Sequence, residues 1–308
     1  LDQSRVFIAG AASLLGEALL EGLAALGLPA DGVVAIADGP DAGRSLMLGG
    51  SHLKLCAPEA ADIAAGDLLL VCSHAAAFDG LRRQARIAGA GVVLSGPSPL
   101  DTLVDSDDVA AEQVLLPLEA RMLSPLLDAL PESIDVDAID VTVLAAAASD
   151  DREGLENLAM ETADLLNGRE SGRRRPPRAF NLIPSTRSVF ELTAWLRDRF
   201  DSSVRLGVSS VTVPIFHGHS LVVHLHLDEA VDPELIRMRI ARAGNVHISD
   251  CPTPRQEVAD LEGLHMGALA AFPPPDRGLG CWLSTDAVKF TASALAGFAG
   301  DWFRRQAH

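Results

Sequence analysis

The chain has 308 residues, of which 48% are hydrophobic and 22% charged, and a formal net charge of −17. That length accommodates two domains or one elaborated α/β domain. The absence of an apolar run of 18 or more residues excludes a membrane-spanning helix, and the acidic balance argues against general affinity for nucleic acid or anionic membrane surfaces, which rests on clustered Lys and Arg.

In chain order, RVFIAGAASLLGEALLEGLAALG (residues 5–27) predicts a short apolar strand, a Gly/Ser turn and a helix with Leu14, Leu15, Ala18, Leu19 and Leu23 on its apolar face. GVVAIADG (32–39) predicts a second strand, with Asp38 at its end. GDLLLVCSH (66–74) predicts a third, and AGVVLSGPS (90–98) a fourth, after a helix around Gly80 to Ala88. Short apolar strands alternating with helices imply a doubly wound parallel sheet. From about Asp135 the pattern changes. IDVDAIDVTVLAAAAS (134–149) is a long strand. DREGLENLAMETADLLNG (151–168) is a helix with Asp150 or Asp151 placed to cap it, and VRLGVSSVTVPIF (204–216) and SLVVHLHL (220–227) are alternating strands. These predict a second domain with a mixed or antiparallel sheet. FTASALAGFAGDWFRRQ (290–306) closes the chain as an amphipathic helix.

Ahead of Arg5 there is neither a basic region nor a small-residue cleavage pattern, so a cytoplasmic address is expected. Cys56, Cys72, Cys251 and Cys281 form no C-x-x-C pair and suit reduced thiols. Arg169, Arg173, Arg174, Arg175 and Arg178 make one local basic run, read as a solvated connector or as a loop for phosphate or a partner.

Two stretches are candidates for chemistry. Gly10-Ala-Ala-Ser13-Leu14-Leu-Gly16 lies where a dinucleotide fold sets a pyrophosphate against a helix N-terminus, although a strict G-x-G-x-x-G is absent and a plain βα turn has the same spacing. Asp38 follows at about the interval expected for a ribose-binding acid and would repel a 2′-phosphate. It therefore favours NAD over NADP, with Arg44 the one nearby cation that argues otherwise. The second stretch, VPIFHGHSLVVHLHL (213–227), carries His217, His219, His224 and His226. Alternation puts His217 and His219 on one strand face and His224 and His226 on the other, so four-histidine metal binding needs a bulge. His219, beside a glycine and a serine, is the candidate acid or base. No cysteine or serine has a nucleophile signature around it.

The order GAASLLGEALLEGL, VVAIADGPDAGRSL, REGLENLAMETADLLNGR, AFNLIPS, VTVPIFHGHS, PTP and STDAVKFTASALAGF resembles the aspartate-semialdehyde dehydrogenase family, and more closely its Usg-like divergent branch. The resemblance spans nearly the whole chain. It implies a Rossmann-like domain over residues 1–116, an α+β dimerisation-type domain over 117–284, and a C-terminal helix, 285–308, returning to the first. It further implies a homodimer and a nicotinamide cofactor.

Members of that family use a cysteine nucleophile, a histidine acid/base and a substrate-gripping arginine. The resemblance assigns the histidine to His219, as a relict. The nucleophile's place falls near Pro117, at Leu118 or Glu119, and no cysteine lies between Cys72 and Cys251. The arginine's place holds Thr212, the family's Glu-x-x-Lys becomes Glu191-x-x-Ala194, and its terminal asparagine and basic cluster is reduced to Asp286 and Lys289. The expectation is an inactive or altered homologue that keeps a dimeric scaffold and residual NAD binding. The alternatives are an NAD(P)-dependent oxidoreductase using His219 without covalent chemistry, or an orthodox dehydrogenase drawing its thiol from Cys72 or Cys251.

Overall fold

The structure is a computed structural model that describes residues 4–96, 112–169, 176–186, 188–244, 246–254, 258, 263–273 and 275–306. It divides into two compact units, residues 1–116 with 291–308, and residues 117–290. The end of the AGVVLSGPS stretch, Pro97 and Ser98, and Arg173 to Arg175 lie outside the described residues.

The first unit is built on a parallel five-stranded sheet in the order β2 (Val33–Ile36), β1 (Val6–Ala9), β5 (Leu68–Val71), β6 (Gly91–Leu94), β7 (Glu112–Val114). Val6 and Ile8 point to one face, where they pack with Leu19 and Leu23 of α1 (Leu14–Ala25) and with Leu295 and Ala299 of α7 (Ala287–Gln306). Phe7 and Ala9 point to the other, against Leu81 and Ala85 of α2 (Asp79–Ala88). With both faces covered, each strand reads as an unbroken apolar run, as parallel sheets require. The C-terminal helix is fastened to this sheet by Trp302, whose Nε1 donates to the Gly66 carbonyl at 3.1 Å and whose ring fills the space that a side chain at Gly91 would need. A polar hairpin, β3 (Ser45–Leu48) and β4 (Ser51–Lys54), turns on Gly49-Gly50.

Ser13 is the N-cap of α1: its hydroxyl accepts from Gly16 N at 3.0 Å and donates to the Gly10 carbonyl at 2.8 Å. Ser13→Ala should lower stability by about 1 kcal/mol, read as a shift of the urea midpoint at unchanged slope.

The second unit carries a seven-stranded mixed sheet in the order β12 (Val246–Ile248), β13 (Leu264–Ala271), β14 (Gly278–Thr285), β11 (His219–Leu227), β8 (Val136–Ala145), β10 (Arg205–Thr212), β9 (Ile183–Ser185). One face is closed by α3 (Leu118–Asp128), α5 (Val189–Arg199) and α6 (Pro233–Ala243). Their Leu123, Leu126, Leu192, Leu196, Ile236 and Ile240 pack on Ile139, Val141, Leu221, Val223 and Leu283 of the sheet.

Two expectations are refined. The strand expected to run to Phe216 ends at Thr212, where Val213 N donates to Ala145 O and the chain turns through Pro214. Asp150 stands at the N-cap position of α4 (Asp151–Leu166), yet its side chain makes no cap hydrogen bond and pairs instead with Arg178. Arg178 is buried, and the backbone N–H groups of Arg178 and Ala179 donate to the buried Glu161 carboxylate at 2.6 and 3.1 Å. This end of the arginine run is therefore a structural anchor.

Candidate active site

In the first unit, the chain leaves β1 through Gly10, whose φ of +81° suits glycine and whose missing side chain makes room for Ser73, which a Cβ would approach to 2.6 Å. Gly10 N and Ala11 N both donate to Ile36 O, at 3.0 and 2.9 Å, tying the turn to the end of β2. The structure thereby brings Gly10, Ser13, Leu14, Gly16 and Asp38 to the carboxyl edge of the parallel sheet, where such folds bind ligands. Asp38 is exposed just beyond β2. Arg44 is paired with Asp41 at the surface, and the Ser13 hydroxyl is already engaged twice within its own turn.

In the second unit, His219 opens β11 on the face that carries Leu221 and Val223 into the core, and it is 2% exposed. Its Nε2 stands 3.1 Å from Oε1 of Glu119, which is 4% exposed in the first turn of α3. The contact is short but off-axis for a ring N–H. Pro117 is the N-cap residue of α3, so Glu119 lies where the unpaired N–H groups and the helix dipole favour an anion.

Burial raises the Glu119 pKa, but hydrogen bonding to and charge on His219, the Ser188 hydroxyl and the residue's own backbone N–H outweigh it, leaving the carboxyl below its ordinary value. Ser188 serves this site from a left-handed backbone, φ +66°, rare for a residue with a side chain. Two residues after Glu119, Arg121 lies over the Phe290 ring at 5.1 Å; burial pulls its pKa down to about 10, opposed by the charge on Glu119.

The histidines separate differently from the alternation expected of one continuous strand. His224 and His226 do lie opposite His219. His217, however, precedes β11, and Gly218 at φ +92°, with Pro254 packed against it, redirects the backbone between them. His217 Nδ1 then sits 3.7 Å from Asp286 Oδ2, while Asp286 Oδ1 accepts from Val288 N and Lys289 N at the start of α7. Among the described residues, no group of three or more His, Cys, Asp or Glu could hold a metal ion.

Of the remaining site candidates, Thr212 ends β10 half-buried, and Glu191 is exposed on α5 with Ala194 on the same helix face. Cys281 pairs in register with Val223, four residues along β11 from His219, roughly 13 Å away. Burial pushes its thiol up to about 12. Cys251 is exposed in the loop after β12; Cys72 belongs to the first unit, where burial likewise raises its pKa. Of the two positions at which the nucleophile was expected, the structure turns Glu119 toward His219. Ser188 and Arg121 carry no sequence signature. The nearest signal was an arginine two residues past Glu119, and nothing in the sequence marks a serine held at positive φ.

Residues 123–289, more than half the chain, match the family described as semialdehyde dehydrogenase, dimerisation domain. The chain belongs to the semialdehyde dehydrogenase family. Within that family, it is 28% identical to a USG-1 protein homolog of Azotobacter vinelandii over 92% of this chain and 93% of that protein. It is also 24% identical to an aspartate-semialdehyde dehydrogenase of Legionella pneumophila, over 56% of this chain and 54% of the other. Among solved structures, aspartate semialdehyde dehydrogenase II from Vibrio cholerae superposes with a TM-score of 0.85 at 20% identity, covering 100% of both chains, and so has the same fold.

Proposed function

We propose that this semialdehyde dehydrogenase homologue no longer performs the covalent reaction, and that it persists as a dimeric scaffold with residual NAD binding. The observation that carries this reading is the 3.1 Å contact between Glu119 and His219. The thiol's expected place is taken by a carboxylate, a poor nucleophile toward an aldehyde that yields no thioester. His219 is buried with its Nε2 turned to the Glu119 carboxylate, and that contact occupies the nitrogen a substrate proton would need. The same pair speaks against non-covalent hydride transfer through His219. Thr212 and Ala194, where resemblance puts an arginine and a lysine, leave the substrate's charged groups without those partners.

The nucleotide is the part of the family's equipment that the residues still fit. The Gly10 turn leads from the carboxyl end of β1 into the N-terminus of α1, where a pyrophosphate would meet unpaired N–H groups, and Asp38 offers an exposed carboxylate to ribose hydroxyls. A bound nicotinamide dinucleotide would supply hydride transfer. Arg44, committed to Asp41, offers little to a 2′-phosphate, so NAD is favoured over NADP. Homodimerisation is supported by the match to a dimerisation domain.

The test is to titrate the protein with NAD and NADP and then assay phosphate-dependent oxidation of aspartate semialdehyde. The expected result is NAD binding with turnover at least about 10⁴-fold below that of a thiol-bearing enzyme. Robust turnover abolished by a Cys→Ser change at one of the four cysteines would falsify the reading.

A further inference from the structure

At four places in the chain an Asp or Asn directly precedes glycine: Asp31-Gly32, Asp38-Gly39, Asp79-Gly80 and Asn167-Gly168. Such pairs are able to modify themselves. The glycine's backbone nitrogen attacks the side-chain carbonyl carbon of the residue before it, closing a five-membered succinimide ring, and glycine has no side chain to block the approach. Whether a pair reacts depends on how firmly the fold holds the two groups.

Three of the four are held. Gly32 is buried, and its N–H donates to the Pro29 carbonyl at 3.1 Å. Asp79 has helical dihedrals, φ −66° and ψ −37°, in the first turn of α2, and its carboxylate lies 3.9 Å from the Arg82 guanidinium. At the end of α4, Asn167 Nδ2 donates to the Ala163 carbonyl at 2.7 Å and Gly168 N to the Leu165 carbonyl at 3.1 Å, so both reacting groups are occupied.

Asp38-Gly39 differs on each count. Asp38 is extended, φ −99° and ψ 166°, its side chain makes no cap hydrogen bond, and both residues are exposed. Among the described residues, no hydrogen-bond partner holds the Asp38 carboxylate or the Gly39 N–H. The space beside Gly39 is open, with nothing within 4 Å of where a Cβ would stand. Arg44, the cation nearby in sequence, is paired with Asp41 instead.

Resting on the nucleotide reading above, we propose that Asp38-Gly39 is a self-modification site whose reaction displaces the ribose-binding carboxylate, and that bound nucleotide suppresses that reaction. Gly39 N bonds to Asp38 Cγ, and the hydroxyl of the protonated carboxyl leaves with the nitrogen's proton as water. Water then adds at the Asp38 backbone carbonyl carbon and breaks its bond to Gly39 N. The product is isoaspartate: the chain runs through Cγ, the carboxylate stands directly on Cα, and no atom is gained or lost overall. The backbone is one carbon longer there, which carries the acid away from the place where Asp38 would meet the ribose hydroxyls.

The test is peptide mapping of isoaspartate at all four pairs in the full chain aged at neutral pH, with and without NAD, against the same chain in urea. In the folded protein Asp38 should react within about threefold of its rate in urea, whereas the other three should react at least about tenfold slower than in urea, since each must first break the bonds or helical turn that hold it. NAD at about ten times its dissociation constant leaves about one-eleventh of the protein unliganded and should slow Asp38 about tenfold. Protein enriched in isoaspartate at Asp38 should bind NAD about tenfold or more weakly. A folded-state rate at Asp38 suppressed as strongly as at the other pairs overturns the modification site. NAD binding that leaves the Asp38 rate unchanged overturns the link to the nucleotide. Absence of NAD binding overturns the nucleotide reading and the suppression with it, while the folded-state rate at Asp38 still decides the modification.

Discussion

Replacing His219 with alanine should lower the unfolding free energy by about 3–5 kcal/mol, because it strands an ionised carboxylate in the interior. Glu119 is 4% exposed, and His219 supplies its strongest favourable interaction. Glu119→Gln should cost less, since it removes the charge while keeping the shape. In the double variant the two losses should not add: a shortfall of about 0.5–3 kcal/mol between the sum of the singles and the double measures the coupling.

The pH dependence has a definite sign. Because the Glu119 pKa is depressed in the folded protein, its contribution is fully present above the unfolded-state value of about 4.3 and is lost as pH falls through the lower folded value. Glu119→Gln should therefore have a flatter acid limb below about pH 4.3, measured by urea unfolding across that range. An unchanged limb would mean that the carboxylate is not held by the pair.

Gly16→Ala should be the most damaging single methyl added to the first unit. A Cβ there would run into the Gly10 carbonyl and come within 2.6 Å of Ala11 Cα, all of it backbone that cannot step aside. Overpacking of this kind costs about 1–3 kcal/mol or more, and it would push α1 off the turn. Gly27→Ala is the control. Its φ of +75° imposes left-handed strain, about 1–2 kcal/mol, but the added methyl meets nothing within 4 Å. Gly16→Ala should therefore lose more stability than Gly27→Ala in parallel urea titrations and also weaken NAD binding, whereas Gly27→Ala should leave NAD binding unchanged.

What could be read from the residues follows from where the information is local. The parallel sheet announced itself because Val6 to Ala9 and Leu68 to Val71 are apolar without interruption, the consequence of helices on both faces. The β3–β4 hairpin did not, because its strands are only four residues long, half polar and mostly exposed. Helix α3 carries Pro125 in its interior, which reads as a break even though the helix continues to Asp128. Strict alternation put His224 and His226 opposite His219, and it failed at His217 because the positive φ of Gly218 ends the strand's parity there.

The site itself is non-local. Glu119 and His219 come from separate helix and strand, and no spacing rule connects residues so far apart in the chain. Family resemblance narrowed the nucleophile's place to Leu118 or Glu119, and helix geometry then decided which of the two faces the imidazole. Ser188 is legible only from its backbone.

Intact-mass spectrometry of the protein incubated with aspartate semialdehyde and NAD, with phosphate withheld so that no acyl intermediate can be discharged to it, is the most direct test of the central claim. With Glu119 in the nucleophile's place, the protein mass should remain unchanged. An acyl adduct on any residue, and above all on a cysteine, would contradict it.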